Sequence, residues 1–71
     1  MKLDYDETTD SLYIHLSERP AADSEEVADG IVLDFDEHGT VVGIDIQHAS
    51  QKADFAALRL HKVPIAAVET V

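Results

Sequence analysis

The chain has 71 residues, no cysteine and a formal net charge of −10 at pH 7. This length predicts one small domain, and the lack of cysteine excludes disulfide bonds and thiolate metal sites. The acidic balance argues against DNA or RNA as a partner, because affinity for nucleic acid depends largely on Lys and Arg that neutralise phosphates.

The negative charge is concentrated in the N-terminal two thirds of the chain. Residues 1–49 contain thirteen Asp or Glu against Lys2 and Arg19, whereas residues 50–71 contain three cations against two acids. The single domain, 1–71, is therefore interpreted as an acidic β-sheet, 1–49, followed by a helix and an apolar tail, 50–71. No apolar run approaches the ~20 residues of a membrane span and the N-terminus has no hydrophobic signal segment, so we expect a cytoplasmic protein that does not bind a membrane.

The first predicted elements are two short strands that form a β-hairpin. Apolar residues alternate with polar ones on both sides of a polar turn at residues 7–10: Leu3, Tyr5, Leu12, Ile14 and Leu16. Successive side chains of a strand point to opposite faces, so the apolar set shares one face and Tyr13 and His15 lie on the other.

The connection from Glu18 to Asp29 is predicted to be irregular. Pro20 lacks the N–H that a strand ladder needs, which argues against a strand around it. Residues 25–28 leave open an alternative in which the third strand begins early and bends at Gly30.

Residues 30–49 predict a second β-hairpin, around which the rest of the chain is organised. Apolar positions alternate on both of its strands: Ile31, Leu33, Phe35, Val42, Ile44 and Ile46. In the turn, Asp36 is expected to bond the turn amides and Gly39 to take a positive φ. Gly43 lies inside the second strand and indicates a bulge or a close backbone approach.

The next residues predict a short helix that extends to about His61. Ser50 and Asp54 are candidate N-caps, and Phe55 and Leu58 fall on one helical stripe.

The end of the chain leaves alternatives open. The alternation of residues 56–61 also suits a strand. Val63 precedes Pro64 and is pushed towards extended backbone, so a helix must end before it. The apolar residues 65–71 suit either a fifth strand or an arm laid on a second copy of the chain.

Four motifs within residues 3–50 resemble those of a known family. They are residues 5–16 (YDETTDSLYIHL), 24–27 (SEEV), 30–36 (GIVLDFD) and 42–46 (VGIDI), the last leading to Ala49 and Ser50. This pattern resembles the small bacterial proteins called domain of unknown function 2283. The resemblance implies an antiparallel β domain with a C-terminal helix and no established activity. Some relatives look like the acidic partner in toxin–antitoxin-type pairs.

One candidate for chemistry is a calcium loop. The positions of an EF-hand loop that match are the first, third, fifth, sixth and twelfth: Asp34, Asp36, His38, Gly39 and Asp45. His38 is a poor ligand for a hard cation, the closing Glu is missing, and strands rather than helices flank the loop. The turn chemistry of Asp36 and Gly39 explains the same residues.

A second candidate is the polar outer face of the sheet. Tyr13, His15, Asp34 and Asp45 point away from the apolar side chains and are expected to share this face. A His beside carboxylates suits a general base or a divalent metal, so His15, Asp34 and Asp45 are the candidate metal ligands. Alternation alone also puts polar residues there, so we predict no cofactor or metal and assign no catalytic residue.

The sequence as a whole predicts an α+β fold, with two β-hairpins forming a four-stranded, mainly antiparallel sheet that a short C-terminal helix covers on one face. Burial in so small a core barely offsets the entropy of ordering the chain, so we expect a homodimer or a basic protein partner. The favoured function is a non-enzymatic interaction module, in one form an antitoxin-like partner of a basic protein. The alternative is a small metal-dependent enzyme or ligand-binding domain.

Overall fold

In a computed structural model that describes residues 1–64, the chain forms an antiparallel sheet of five strands followed by a short helix. The strands are β1 (Lys2–Asp6), β2 (Ser11–His15), β3 (Asp23–Ala28), β4 (Ile31–Phe35) and β5 (Val41–Gln47), and the helix is α1 (Ala49–Lys52). The order across the sheet is β1-β2-β5-β4-β3, so β5 is the central strand.

Both predicted hairpins are confirmed. β1 pairs with β2, with Leu3 opposite Ile14, and β4 pairs with β5, with Leu33 opposite Ile44. Antiparallel pairing of β2 with β5 then joins the two hairpins into one sheet. The apolar residues of neighbouring strands therefore stand side by side on one face, as alternation with period two requires.

The prediction of four strands is wrong, because residues 23–28 form an additional strand. β3 pairs antiparallel with β4 and lies at the edge of the sheet. All its residues are exposed, so β3 does not need the apolar alternation that identifies a buried strand in a sequence. Gly30 has a φ of 74° and forms the turn to β4, so the two segments are separate strands.

The β4–β5 hairpin contains two of the backbone features that the sequence predicts. Gly39 takes a φ of 80° in the turn. The pairing register shifts between Asp34 and Phe35, whose partners on β5 are Gly43 and Val41. The unpaired residue is Val42, so a bulge, one of the two alternatives given for Gly43, lies directly beside that glycine.

The C-terminal helix is present but much shorter than predicted. α1 ends at Lys52, and Ala53 has extended backbone with φ −126° and ψ 150°. The Asp54 carboxylate accepts a hydrogen bond from the N–H of Ala56 at 2.9 Å, a turn contact that competes with helical bonding. Residues 53–64, which we call the C-terminal segment, contain neither helix nor strand, so the predicted helix to His61 and its strand alternative are both wrong.

The helix does not cover a face of the sheet as predicted. α1 lies beside the β1–β2 turn, where the N–H of Ala49 donates to the C=O of Asp10 at 2.9 Å. The strand or arm predicted at residues 65–71 lies outside the described residues. Among residues 1–64, no helix has the length and apolar character that crossing a membrane requires.

The two faces of the sheet differ sharply in chemistry. The apolar face is defined by these residues: Leu3, Tyr5, Leu12, Ile14, Ile31, Leu33, Phe35, Val42, Ile44 and Ile46. Val42, 3% exposed, and Ala49 are the hydrophobic residues that residues 1–64 bury completely, and the rest of this face is half-buried or exposed. A sheet that is apolar on one face needs a second layer, which residues 1–64 of a single chain do not supply.

Candidate functional site

The polar face is the opposite side of the sheet and carries most of the chain's candidate chemistry. Strand pairing aligns its residues in rows, for example Asp4, Tyr13, Asp45, Val32 and Glu26 across all five strands. The strand carboxylates on this face are Asp4, Asp6, Asp34, Asp45 and Glu26, and the strand cation on it is Lys2. The polar face is therefore strongly negative.

The centre of the polar face is a hydrogen-bonded group that spans four strands. The Tyr13 hydroxyl donates to Asp34 Oδ2 at 2.5 Å, and the Ser24 hydroxyl donates to Asp34 Oδ1 at 2.6 Å. Tyr13 reaches Asp34 by lying across Gly43, where an added Cβ would overlap the phenol. Glycine at this position is thus required by the side chain that crosses it.

These bonds move the two central pKa values in opposite directions. The hydrogen bond to Asp34, together with burial, raises the pKa of Tyr13 to about 12. The hydroxyls of Ser24 and Tyr13 hold the pKa of the Asp34 carboxyl below its usual range. At neutral pH, Tyr13 is a neutral donor and Asp34 a charged acceptor.

His15 forms the second polar pair on this face. Its Nε2 lies 2.7 Å from Asp4 Oδ2, and its ring meets the Tyr13 ring edge-on with centroids 4.5 Å apart. Lys2 Nζ lies 3.7 Å from the same Asp4 oxygen. The Asp4 carboxylate thus joins an imidazole and an ammonium at the β1 edge.

The structure places all three candidate metal ligands on the polar face, as the alternation predicts, but gives each a different environment. His15 is bonded to Asp4, and Asp34 to Tyr13 and Ser24, whereas Asp45 stands opposite Tyr13 and affects it through charge. Within residues 1–64, no three His, Cys, Asp or Glu side chains form a group that could hold a metal ion.

The residues that suggested a calcium loop have a structural role instead. Asp36 Oδ1 accepts hydrogen bonds from the N–H groups of His38 and Thr40, both at 2.9 Å. The amide of Thr40 is the main cause that holds the pKa of the Asp36 carboxyl below its usual range. The prediction that Asp36 bonds its own turn amides is confirmed.

Two tertiary contacts outside the polar face were also not predicted from the sequence. The first joins Arg19, in the β2–β3 connection, to the turn: Arg19 Nε lies 3.2 Å from Oδ2 of the buried Asp36. The sequence contained one indication of this ion pair: Lys2 and Arg19 are the two cations among thirteen acids in residues 1–49.

The second unpredicted contact holds α1. Asp10 takes a φ of 54° at the end of the β1–β2 turn, and its carboxylate accepts hydrogen bonds from the N–H and hydroxyl of Ser50 and from the Tyr5 hydroxyl. Ser50 and Tyr5 keep the pKa of the Asp10 carboxyl below its usual range. The N-cap residue of α1 is His48, so the prediction of Ser50 as its N-cap is wrong. The N–H of Ser50 instead donates to Asp10, forty positions earlier in the chain.

Comparison with known proteins identifies a family for most of the chain. The family model described as "Protein of unknown function (DUF2283)" matches residues 2–50. The chain belongs to the DUF2283 family. The match spans all five strands of the sheet and the start of α1, so the C-terminal segment lies outside the part that DUF2283 members share. No curated protein and no solved structure matches the chain.

Proposed function

We propose that the chain is a non-enzymatic protein-interaction module whose polar face binds a basic protein. The observation that carries this proposal is the charge of that face, on which the strands carry five carboxylates and one lysine. A surface of one sign attracts a partner of the opposite sign and speeds its encounter.

The internal bonding of the face supports a binding role over catalysis. Tyr13 and Asp34 hold each other in place, so the centre of the face is a preorganised surface. Their pKa values are displaced away from neutrality in opposite directions, whereas a general acid or base works best with a pKa near the operating pH. Asp34 and Tyr13 therefore hold the side chains at the centre of the polar face in a defined arrangement.

A specific form of this proposal is an antitoxin-like protein that neutralises a basic partner. It draws support from the family resemblance of residues 3–50 and from the charge of the polar face. A small basic reading frame beside the gene for this chain would supply a defined partner for a binding measurement.

The test is an affinity pull-down with the immobilised full chain and elution in a salt gradient. The face variant Glu26→Gln/Asp45→Asn removes two charges from the polar face, and the control Glu7→Gln/Glu37→Gln removes two charges from turns. We expect wild type and the turn control to retain the same basic protein until salt screens the contact, and the face variant to lose it.

The proposal fails if the face variant and the turn control retain the same proteins. It also fails if nothing basic is released by salt. Circular dichroism of each variant checks that loss of binding does not come from loss of the sheet.

A further inference from the structure

The C-terminal segment presents an unusual surface. Its large apolar side chains are exposed: Phe55, Leu58, Leu60 and Val63, with Leu58 58% exposed. Arg59 and Lys62 lie among them and are also exposed. The segment is therefore both apolar and basic, in contrast to the acidic residues 1–49.

The apolar face of the sheet offers matching chemistry. Most of its residues are half-buried and so remain partly accessible. The edge strand β3 adds two carboxylates to it, because Glu25 pairs with Leu33 and Asp23 with Phe35. Val27, on the same strand, is 51% exposed. The β3 side of this face is thus an apolar surface with an acidic rim.

We propose that two copies of the chain pack apolar face against apolar face and exchange their C-terminal segments. The segment of each copy lies over the β3 side of the other. Arg59 and Lys62 of one copy then approach the carboxylates of Asp23 and Glu25 in the second copy. The C-terminal segment is basic and the β3 side is acidic, and both surfaces carry apolar side chains. These properties favour a second copy of the chain as the partner of this face.

The strand order makes the exchange geometrically consistent. A two-fold axis parallel to the central strand β5 puts the β1 edge of one sheet over the β3 edge of the other, because these strands lie at opposite edges. The C-terminal segment starts on the β1 side, where the Phe55 ring meets the Tyr5 ring edge-on with centroids 5.1 Å apart. From there the segment of one copy reaches the β3 side of the second.

The area required for a stable dimer also favours an exchange over simple face-to-face contact. Five strands about 4.8 Å apart and about 17 Å long give a face of roughly 400 Å². A stable interface removes about 800 Å² of accessible surface from each partner. The apolar side chains of the C-terminal segment supply the additional surface, and both polar faces stay outward.

The first test is the mass of the full chain by size-exclusion chromatography with light scattering at micromolar concentration. We expect twice the 7.8 kDa of one chain. The variant Leu58→Asp/Leu60→Asp is expected to raise the dissociation constant about a hundredfold, because a carboxylate cannot be buried against an apolar face without large cost. A monomeric wild type, or a variant that stays dimeric, overturns the proposal.

The second test distinguishes exchange between copies from folding back within one copy. The sheet variant Asp23→Lys/Glu25→Lys and the segment variant Arg59→Glu/Lys62→Glu each place like charges together. We expect each alone to dimerise about tenfold more weakly, and an equimolar mixture to form a heterodimer of wild-type affinity, because both exchanged contacts are then attractive.

A mixture that remains as weak as its components overturns the exchange, because segments that fold back on their own sheet gain nothing from mixing. The control for the sheet variant is Glu37→Lys, which adds charge of the same sign in the exposed β4–β5 turn. This control is expected to leave the dimer unchanged, and circular dichroism confirms that every variant retains its sheet.

Discussion

The two faces of this sheet differ in how completely a single layer meets the needs of its side chains. Polar side chains find hydrogen-bond partners, whereas apolar side chains are not fully buried. On the polar face, Tyr13, Ser24 and Asp34 bond one another across neighbouring strands. On the apolar face, the same strand pairing aligns Leu3, Ile14, Ile44 and Leu33, and most of this row stays partly accessible to water.

The difference follows from the range of the two interactions. A hydrogen bond needs one partner at the right distance, and a neighbouring strand provides it. Burial of an apolar side chain needs atoms on all sides, and these come from a second layer. One sheet can therefore complete its polar network, whereas its apolar face requires another surface.

The largest loss of stability is expected when alanine replaces Gly43 and adds a methyl group to the polar face. Gly43→Ala would overlap the Tyr13 phenol and force it away from Asp34, so we expect a loss of about 2–3 kcal/mol in the free energy of unfolding. Urea denaturation at fixed protein concentration measures it.

The control for this prediction is the same substitution in a Tyr13→Ala background. Without the phenol, alanine in a strand is expected to be neutral or stabilising relative to glycine. An equal loss in both backgrounds would show that the ring does not restrict position 43.

A matched pair of substitutions compares the faces directly. Val42→Thr puts a hydroxyl into the buried position of the apolar face, and we expect it to cost about 1–2 kcal/mol. Val32→Thr makes the same change on the polar face, between Asp45 and Glu26, and is expected to cost less than about 0.5 kcal/mol. Equal losses in urea denaturation would contradict the difference between the faces.

The last comparison uses the dependence of stability on pH. The pKa of Tyr13 is about 12 in the folded chain against 10.0 for a free tyrosine, so the folded state holds this proton more tightly. Its contribution is complete below pH 10 and is lost as pH rises towards 12. The pKa of Asp34 is lowered, so its contribution is complete above about pH 4 and is lost as pH falls.

Tyr13→Phe tests this assignment. The variant is expected to lose about 1 kcal/mol at neutral pH and to show a smaller further loss between pH 10 and 12 than wild type. Identical alkaline profiles for wild type and Tyr13→Phe would assign the alkaline loss to other groups.

Much of the candidate site could be predicted from local pattern. Alternation placed Tyr13, His15, Asp34 and Asp45 on one face, and the structure confirms that placement. Their partners were not predicted: the contact of His15 with Asp4 depends on the register that the β1–β2 turn sets, and Ser24 lies on β3, which the sequence did not indicate as a separate strand.

The sequence by itself determined the two hairpins, the Asp36 turn and the separation of apolar from polar side chains. These features depend on residues close in the chain and on the two-residue period of a strand. The tertiary structure alone decided the edge strand β3, the short helix and its cap by Asp10. The cap joins residues forty positions apart, and no local pattern records such a contact. β3 is fully exposed, so it lacks the apolar alternation that identifies a strand, and its pairing with β4 at the edge of the sheet is what defines it.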